Sequence, residues 1–522
     1  MELRRVLTSV CLLWAFAGCS GGSVSTAPSP SSKAPLSGAA ARPAAVRKPA
    51  IIPTCSGATG TGSFIGGGAS NGAGGTDSGV LAGSGNEACD AYSAIAAGES
   101  NIVSSGGGAT QSFIGAGNSN LITGSQSVIG GGYDNQVPAN DAAIVGGSQN
   151  QASALHAFVG AGTNNLNSSD DGVVVGGYNN NASGTEFNFI GAGSANAASA
   201  TYGIVVGGQG NTASGTTASV LSGNNNQNAG IRAIIGSGEN NTITNNGTDG
   251  LIAAGNTNTL SGVYGVIGGG EFNNVSGEGG YVAAGGYNTV AGEGAVIDGG
   301  FNSTAAGAFA TIPGGYVNSA GGTYSLAAGA RASAAQTGTF VWSDGSDGDT
   351  ILTSSSAYQF LARASGGFTL YTNPASTVGA HLAAGSGTWA SLSDRNAKTN
   401  VAPIDDARVL EKVARLPISR WSYRTEHGVR HVGPMAQDFY VAFNVGEDDK
   451  HITSIDEDGI ALAAIKALYV EDKALHRENA ALRARLADVT TDQSTQIAIL
   501  RSQVAALARN APGRRSGRPG KS

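Results

Sequence analysis

Large side chains and charges are both scarce in this sequence. Aromatic residues make up 6% and charged residues 12% of its 522 positions, against 83 glycines. With so few aromatics the chain lacks the material for one conventional compact core, and with so little charge it cannot be kept open as a solvated coil by repulsion. Between Cys55 and Phe340 the only Lys or Arg residues are Arg232 and Arg331, so this region is not built to bind nucleic acid through its phosphates. Basic residues gather in the last quarter and end in Arg514, Arg515, Arg518 and Lys521, read as a disordered basic tail over 511–522. No apolar run approaches the roughly 20 residues a membrane-spanning helix needs. Order has to come from repetition.

The chain opens with Glu2, Arg4 and Arg5, an apolar stretch from Val6 to Phe16, and Ala17-Gly18-Cys19. This resembles a bacterial lipoprotein signal, with residues 1–18 removed and Cys19 lipidated. An ordinary signal peptide cut nearby is the alternative. Ser, Ala and Pro dominate the following segment, which reads as a tether over 19–55. Cys11 leaves with the signal and Cys19 carries lipid, so Cys55 and Cys89 are a candidate disulfide across the first solenoid turns in an oxidising compartment, subject to geometry that sequence does not give.

What the chain has in abundance is a repeat. Eighteen aliphatic anchors, from Ile65, Val80 and Ile95 through Ile129, Ile144 and Val205 to Ile312 and Leu326, are mostly fifteen residues apart. A glycine stands three residues after every anchor, and an asparagine six residues after all but two, where Ser303 and Ala332 stand instead. Fifteen residues accommodate two short strands and two tight turns. The anchor is expected to face inward and stack on its copy one turn away. Glycine admits positive φ or close backbone approach at the corner, and asparagine tolerates the left-handed region and can bond neighbouring backbone. A single coil buries too little, so stacking supplies the core. Residues 56–339 are therefore read as a left-handed-type parallel β-roll or solenoid.

Units such as Ile129-Gly-Gly-Gly-Tyr-Asp-Asn135 and Val205-Val-Gly-Gly-Gln-Gly-Asn211 resemble the head repeats of trimeric autotransporter adhesins, which implies a homotrimer of β-rolls around one axis. Other solenoid chemistries fit less well. Asp134, Asp170 and Asp298 keep no fixed offset, unlike calcium-binding rolls. Thr-x-Thr pairs such as Thr242 with Thr244 do not recur regularly, unlike an ice-binding ladder. Paired carboxylates of a glycan hydrolase are not evident.

Past Phe340 the fifteen-residue spacing stops, and strand-like segments such as Gln359–Ala364 and Gly367–Thr372 read as a β-rich fibre neck over 340–390. Then come Ser391-Leu392-Ser393-Asp394-Arg395-Asn396-Ala397-Lys398, Trp421-Ser422-Tyr423, and His431-Val432-Gly433-Pro434-Met435-Ala436-Gln437-Asp438. This succession resembles the C-terminal intramolecular chaperone of phage tailspikes and tail fibres, a self-cleaving serine peptidase family, over 391–475, expected to be a small α+β domain. The resemblance implies that Ser393 is a nucleophile, Lys398 its base, and Leu392–Ser393 the bond cut. Serine needs a base to take its proton, and lysine serves only where burial lowers its pKa. Five residues is not one helical face, so a turn or a neighbouring chain must bring the pair together. Asp394 reads as a cap or turn residue. His427, His431 and His451 lack metal-ligand spacing, and neither metal nor cofactor is called for.

From Ile460 to about residue 510 the pattern is helical. Leu468, Leu475, Leu482, Leu486 and Val489 keep heptad-compatible spacing, with Asp472 and Asn479 on the same seam, and Ile497, Leu500, Val504 and Leu507 resume after a phase shift. This reads as a coiled coil able to register three chains before slow β-pairing begins. The sequence thus points to a lipid-anchored, exported homotrimeric fibre at the bacterial surface, with a host-surface or glycan receptor as partner and no nucleic acid. Its one enzymatic act would be on itself. A prophage tail fibre is the rival reading.

Overall fold

A computed structural model describes residues 54–510 apart from 105 and 107. The signal peptide, Cys19, nearly all of the tether and the basic tail lie outside the described residues. The described residues divide into two compact units, one ending at Ser365 and the other beginning at Gly366.

The first unit is a parallel β-solenoid of about nineteen turns. Each coil gives one two-residue strand to each of two ladders. The first sheet begins with Gly57–Ala58 and the second with Phe64–Ile65. Register follows the repeat: Ile129 pairs with Ile144 and Ile144 with Val159. In the second sheet Val80, Ile95, Ile129, Ile144 and Ile297 are completely buried or nearly so, and Val137, Ile243, Leu260 and Val290 face them from the first. Fully burying one such side chain is worth about 1.5–3 kcal/mol, so stability accumulates by stacking.

The glycine three residues past the anchor answers to both of its physical reasons. Gly132 has φ 105°, and a Cβ there would stand 2.1 Å from the carbonyl oxygen of Gly147 on the next coil. Any side chain would push the coils apart. The asparagines act differently from the expectation that they take the left-handed conformation. That slot belongs to the preceding residue, such as Asp134 at φ 54°, whereas Asn135 is buried and serves by hydrogen bonding. Its Nδ2 donates to Gly147 O at 3.0 Å and Gly131 O at 3.1 Å, and its Oδ1 accepts from Asn150 N at 3.0 Å. Ser303 carries the ladder onward, accepting from Asn318 N at 3.2 Å through Oγ. Ala332 ends it, donating its N–H to Asn318 Oδ1 with no side-chain acceptor to offer.

Two sequence expectations shift at the C-terminal end of the solenoid. Leu326 is not an inward anchor: it pairs with Thr311 and points outward, while Ala327 takes the buried position. The coil there is one residue short, so the glycine offset survives while the inward position moves. Nor does the parallel ladder stop at Phe340. Phe340–Asp344 pairs with Leu326–Ala330 and then with Phe360–Arg363. The spacing changes because the loop after Asp344 lengthens the coil, and Arg363 ties that loop down through Asp344, Asp347 and Ser343 Oγ.

The second unit contains an antiparallel meander of β1 (Gly367–Tyr371), β2 (Gly379–Ala383) and β3 (Trp389–Ser391), then α1 (Asp406–Arg415), β4 (Ser419–Trp421), β5 (His431–Gly433), α2 (Ala436–Phe443) and α3 (Ser454–Asn510). β4 and β5 form an antiparallel pair. Its small core joins Val409 of α1, Phe439 of α2 and Ile460, Ala463 and Ala464 of α3. Beyond Ala467 the 57-residue helix α3 buries none of its side chains.

Candidate functional site

The candidate site forms where β3 gives way to a tight turn. Leu392 donates its N–H to Gly379 O at 3.1 Å, extending the contact of β3 with β2 by one residue. Asp394 then caps a single 3₁₀ turn, Arg395–Ala397, its Oδ1 accepting from Asn396 N at 2.9 Å. Such a cap satisfies an otherwise orphaned N–H. The turn reverses the chain enough to bring Lys398 Nζ to 2.6 Å from Ser393 Oγ. The two residues that no helix would align are thus joined within one chain by a 3₁₀ turn.

Ser393 and Lys398 are both exposed, and Leu392 is 44% exposed. The bond between residues 392 and 393 is accessible, and among the described residues nothing covers the pair against water. The other polar groups singled out in the sequence lie elsewhere in the unit. His431 Nε2 is 2.9 Å from Glu426 Oε2, with its ring against Trp421. His451 Nδ1 contacts Asp448 at 2.9 Å, and the N–H groups of Lys450 and His451 hold the Asp448 carboxyl below the usual carboxylate range. Gln437 lines a cleft with Trp421, Tyr423, Met435 and Glu457 that does not include Ser393.

At the opposite end of the chain, Cys55 and Cys89 are joined by a disulfide with a Cα–Cα distance of 5.6 Å. The Cys55 backbone lies against the second coil, where a Cβ on Gly72 would meet its oxygen at 2.2 Å. The first coil is thereby tied to its neighbours.

The outward side of the second sheet carries a further pattern that bears on function. Phe64, Phe158 and Phe189 each stand two residues before a glycine, Gly66, Gly160 and Gly191, and their rings lie over those glycines, 3.3–3.6 Å from where a Cβ would be. At Gly79, Ala143 and Ser219 the first position is small and the second, Leu81, Val145 and Leu221, is large, although Ala94 with Ala96 and Val173 with Val175 do not alternate. The signal is a size alternation two residues apart, inside strands too short to have drawn notice.

Residues 393–444 match the family model described as chaperone of endosialidase. No curated protein matches the chain. A chaperone-of-endosialidase segment behind a β-solenoid fits a tail-fibre and chaperone architecture.

Proposed function

We propose that this protein is a surface-anchored homotrimeric fibre, an adhesin or display protein, whose C-terminal domain templates assembly and then releases itself by one autoproteolytic cut between Leu392 and Ser393. The observation that carries the reading is the 2.6 Å approach of Lys398 Nζ to Ser393 Oγ, next to an accessible bond, at the start of the family match. In this mechanism the neutral Lys398 amine takes the Ser393 hydroxyl proton and Oγ attacks the Leu392 carbonyl carbon. The proton passes to the Ser393 nitrogen as its C–N bond breaks. Water then hydrolyses the resulting ester, leaving a Leu392 carboxylate and a free Ser393 hydroxyl and amine.

Lysine is a competent base only where burial disfavours its charged form. The pair is exposed in one chain, so in this reading neighbouring copies cover it and the cut waits for the trimer. Two further features support association. The heptad leucines of α3 are exposed, Leu475 by 57% and Leu482 by 52%, and a long helix with an open apolar stripe is stabilised by a partner. The outward face of the second sheet is apolar over most of its length and levelled in places by the Phe–Gly pairing, whereas the first sheet, apart from Ile102, Leu121 and Leu166, presents mainly polar residues such as Gln136, Gln151, Thr212 and Gln227. A second copy fits the apolar face, leaving the polar one in water.

Anchoring through Cys19, with outer-membrane location, belongs to the same proposal and rests on the N-terminal sequence. A tail fibre of a prophage is the second reading, favoured by the family match; it has no use for a lipid. Expression of the full chain should yield fragments ending at Leu392 and beginning at Ser393, and Ser393→Ala and Lys398→Ala should each leave it whole. A cut that persists in Ser393→Ala removes the dyad from the account. Radiolabelled palmitate should enter the protein at Cys19, and a mature chain without label points to the tail fibre instead.

A further inference from the structure

Four rings run along one corner of the C-terminal part of the solenoid. Phe272 and Tyr287 have centroids 4.8 Å apart, Tyr287 and Phe301 5.2 Å, and Phe301 and Tyr316 6.0 Å. The Arg331 guanidinium closes the row, 5.3 Å from the centroid of Tyr316. The rings are 43–45% exposed. Phe272 and Tyr287 occupy the left-handed corner position, φ 53° and 58°, which turns their side chains out of the coil. Gly286 makes room for the row, since a Cβ there would come within 3.3 Å of the Phe301 ring.

Two residues beyond that corner the first sheet begins, so Asn274 follows Phe272 and Thr289 follows Tyr287. Asn274, Thr289 and Thr304 pair in one outward column. An aromatic row and a hydroxyl-and-amide column therefore run side by side along the stack. Glu271 and Arg331 flank the ends of the row, and between them the row and column carry no charge.

We propose that this double strip binds a neutral, extended, β-linked glycan lying along the solenoid. The assignment rests on the reading of the chain as a surface fibre with an outward-facing partner. A hexopyranose offers C–H patches that pack on aromatic rings and equatorial hydroxyls that pair with amide and hydroxyl groups. Successive coils repeat at about 4.8 Å, close to the advance of one sugar in an extended β-linked chain, so each sugar spans one coil; alternate sugars present the same face, and the ring moves from the left-handed position at Phe272 and Tyr287 to the residue before it at Phe301 and Tyr316. Solvent-exposed apolar rows of this length are uncommon unless they are used. The lack of a basic column selects against polyanionic glycans.

The test is calorimetric titration of the full-length chain, in mild detergent, with cellohexaose, chitohexaose and a heparin hexasaccharide. Saturable binding of at least one neutral hexamer is expected, about tenfold weaker in Tyr287→Ala and in Tyr316→Ala. The milder Asn274→Ala and Thr289→Val should also weaken it while leaving the melting curve in place. Phe187→Ala, which breaks the stacked pair with Tyr202 elsewhere on the solenoid, should bind as the parent does. No heat with either neutral hexamer, equal or tighter binding of the heparin fragment, or an equal loss in Phe187→Ala would overturn the assignment and leave the rings as braces of the stack. Cleavage is scored on the same preparations. Protein that is cut and trimeric but does not bind overturns the glycan site alone, while protein that binds but stays uncut and monomeric overturns the fibre reading alone.

Discussion

The solenoid and helix α3 both carry long rows of aliphatic residues, yet they stand in opposite conditions. In the solenoid Ile129, Ile144 and Ile267 have no exposed surface, because each coil is covered by the coils before and after it in the same chain. In α3 Leu475, Leu482 and Leu500 are exposed by 57%, 52% and 58%, because a straight helix cannot fold back to cover itself. One region obtains its core by continuing, and the other leaves its apolar row open to solvent. In the proposed trimer the information for shape is thereby separate from the information for stoichiometry.

The sharpest way to break that comparison is to charge the helix. Leu475→Asp with Leu482→Asp removes nothing that one chain buries, so the solenoid should melt as in the parent, while trimer and cut product should both disappear from native and denaturing gels. Cleavage at the parental level would mean that α3 is not what assembles the site. Within the solenoid the effects should be graded. Ile129→Ala should cost about 2–5 kcal/mol as a buried cavity, read from thermal or denaturant unfolding. Asn135→Ala, which strands Asn150 N in the interior and leaves the Gly147 carbonyl with the Tyr133 N–H as its one donor, should cost about 1–3 kcal/mol. The same two changes made at exposed Val504 and Asn479 should leave the unfolding of the solenoid unmoved.

Acid should have the smallest effect, confined to the C-terminal end of the solenoid. The Asp344 carboxyl is held well below the usual carboxylate range, chiefly by the Ser365 N–H and then by Ser346. Its folded value is lower than its unfolded one, so the stability it lends is complete above about pH 4, declines as pH falls below that, and is gone once pH drops through the folded value. Hydrogen exchange of residues 340–365 should therefore quicken below about pH 4, and Asp344→Asn should remove that dependence while leaving exchange in the middle coils as it was.

The repeat was legible because each coil answers to the same local demands: Ile129 must be apolar, Gly132 must lack a Cβ, and Asn135 must both donate and accept. Where one coil is a residue short the reading failed, since Leu326 keeps the glycine offset while Ala327 takes the interior. The continuation of the ladder past Phe340 was hidden for a related reason. A parallel pair tolerates a longer loop, and the ion pairs of Arg363 that secure that loop are not periodic. At the candidate site, Ser393 and Lys398 were recognised from their motif, but no spacing rule predicts that Asp394 caps a 3₁₀ turn that closes the gap between them.

The sequence by itself determined the stacking direction, the inward column and the asparagine ladder, because these depend on interactions repeated every coil between residues at fixed separation. It took the folded chain to show that Phe272, Tyr287, Phe301 and Tyr316 form one row, that Ala327 rather than Leu326 faces inward at the short coil, and that the Lys398 amine reaches the Ser393 hydroxyl. Those relations depend on how coils and turns align in space, and a shift of one residue in a two-residue strand is enough to reverse them.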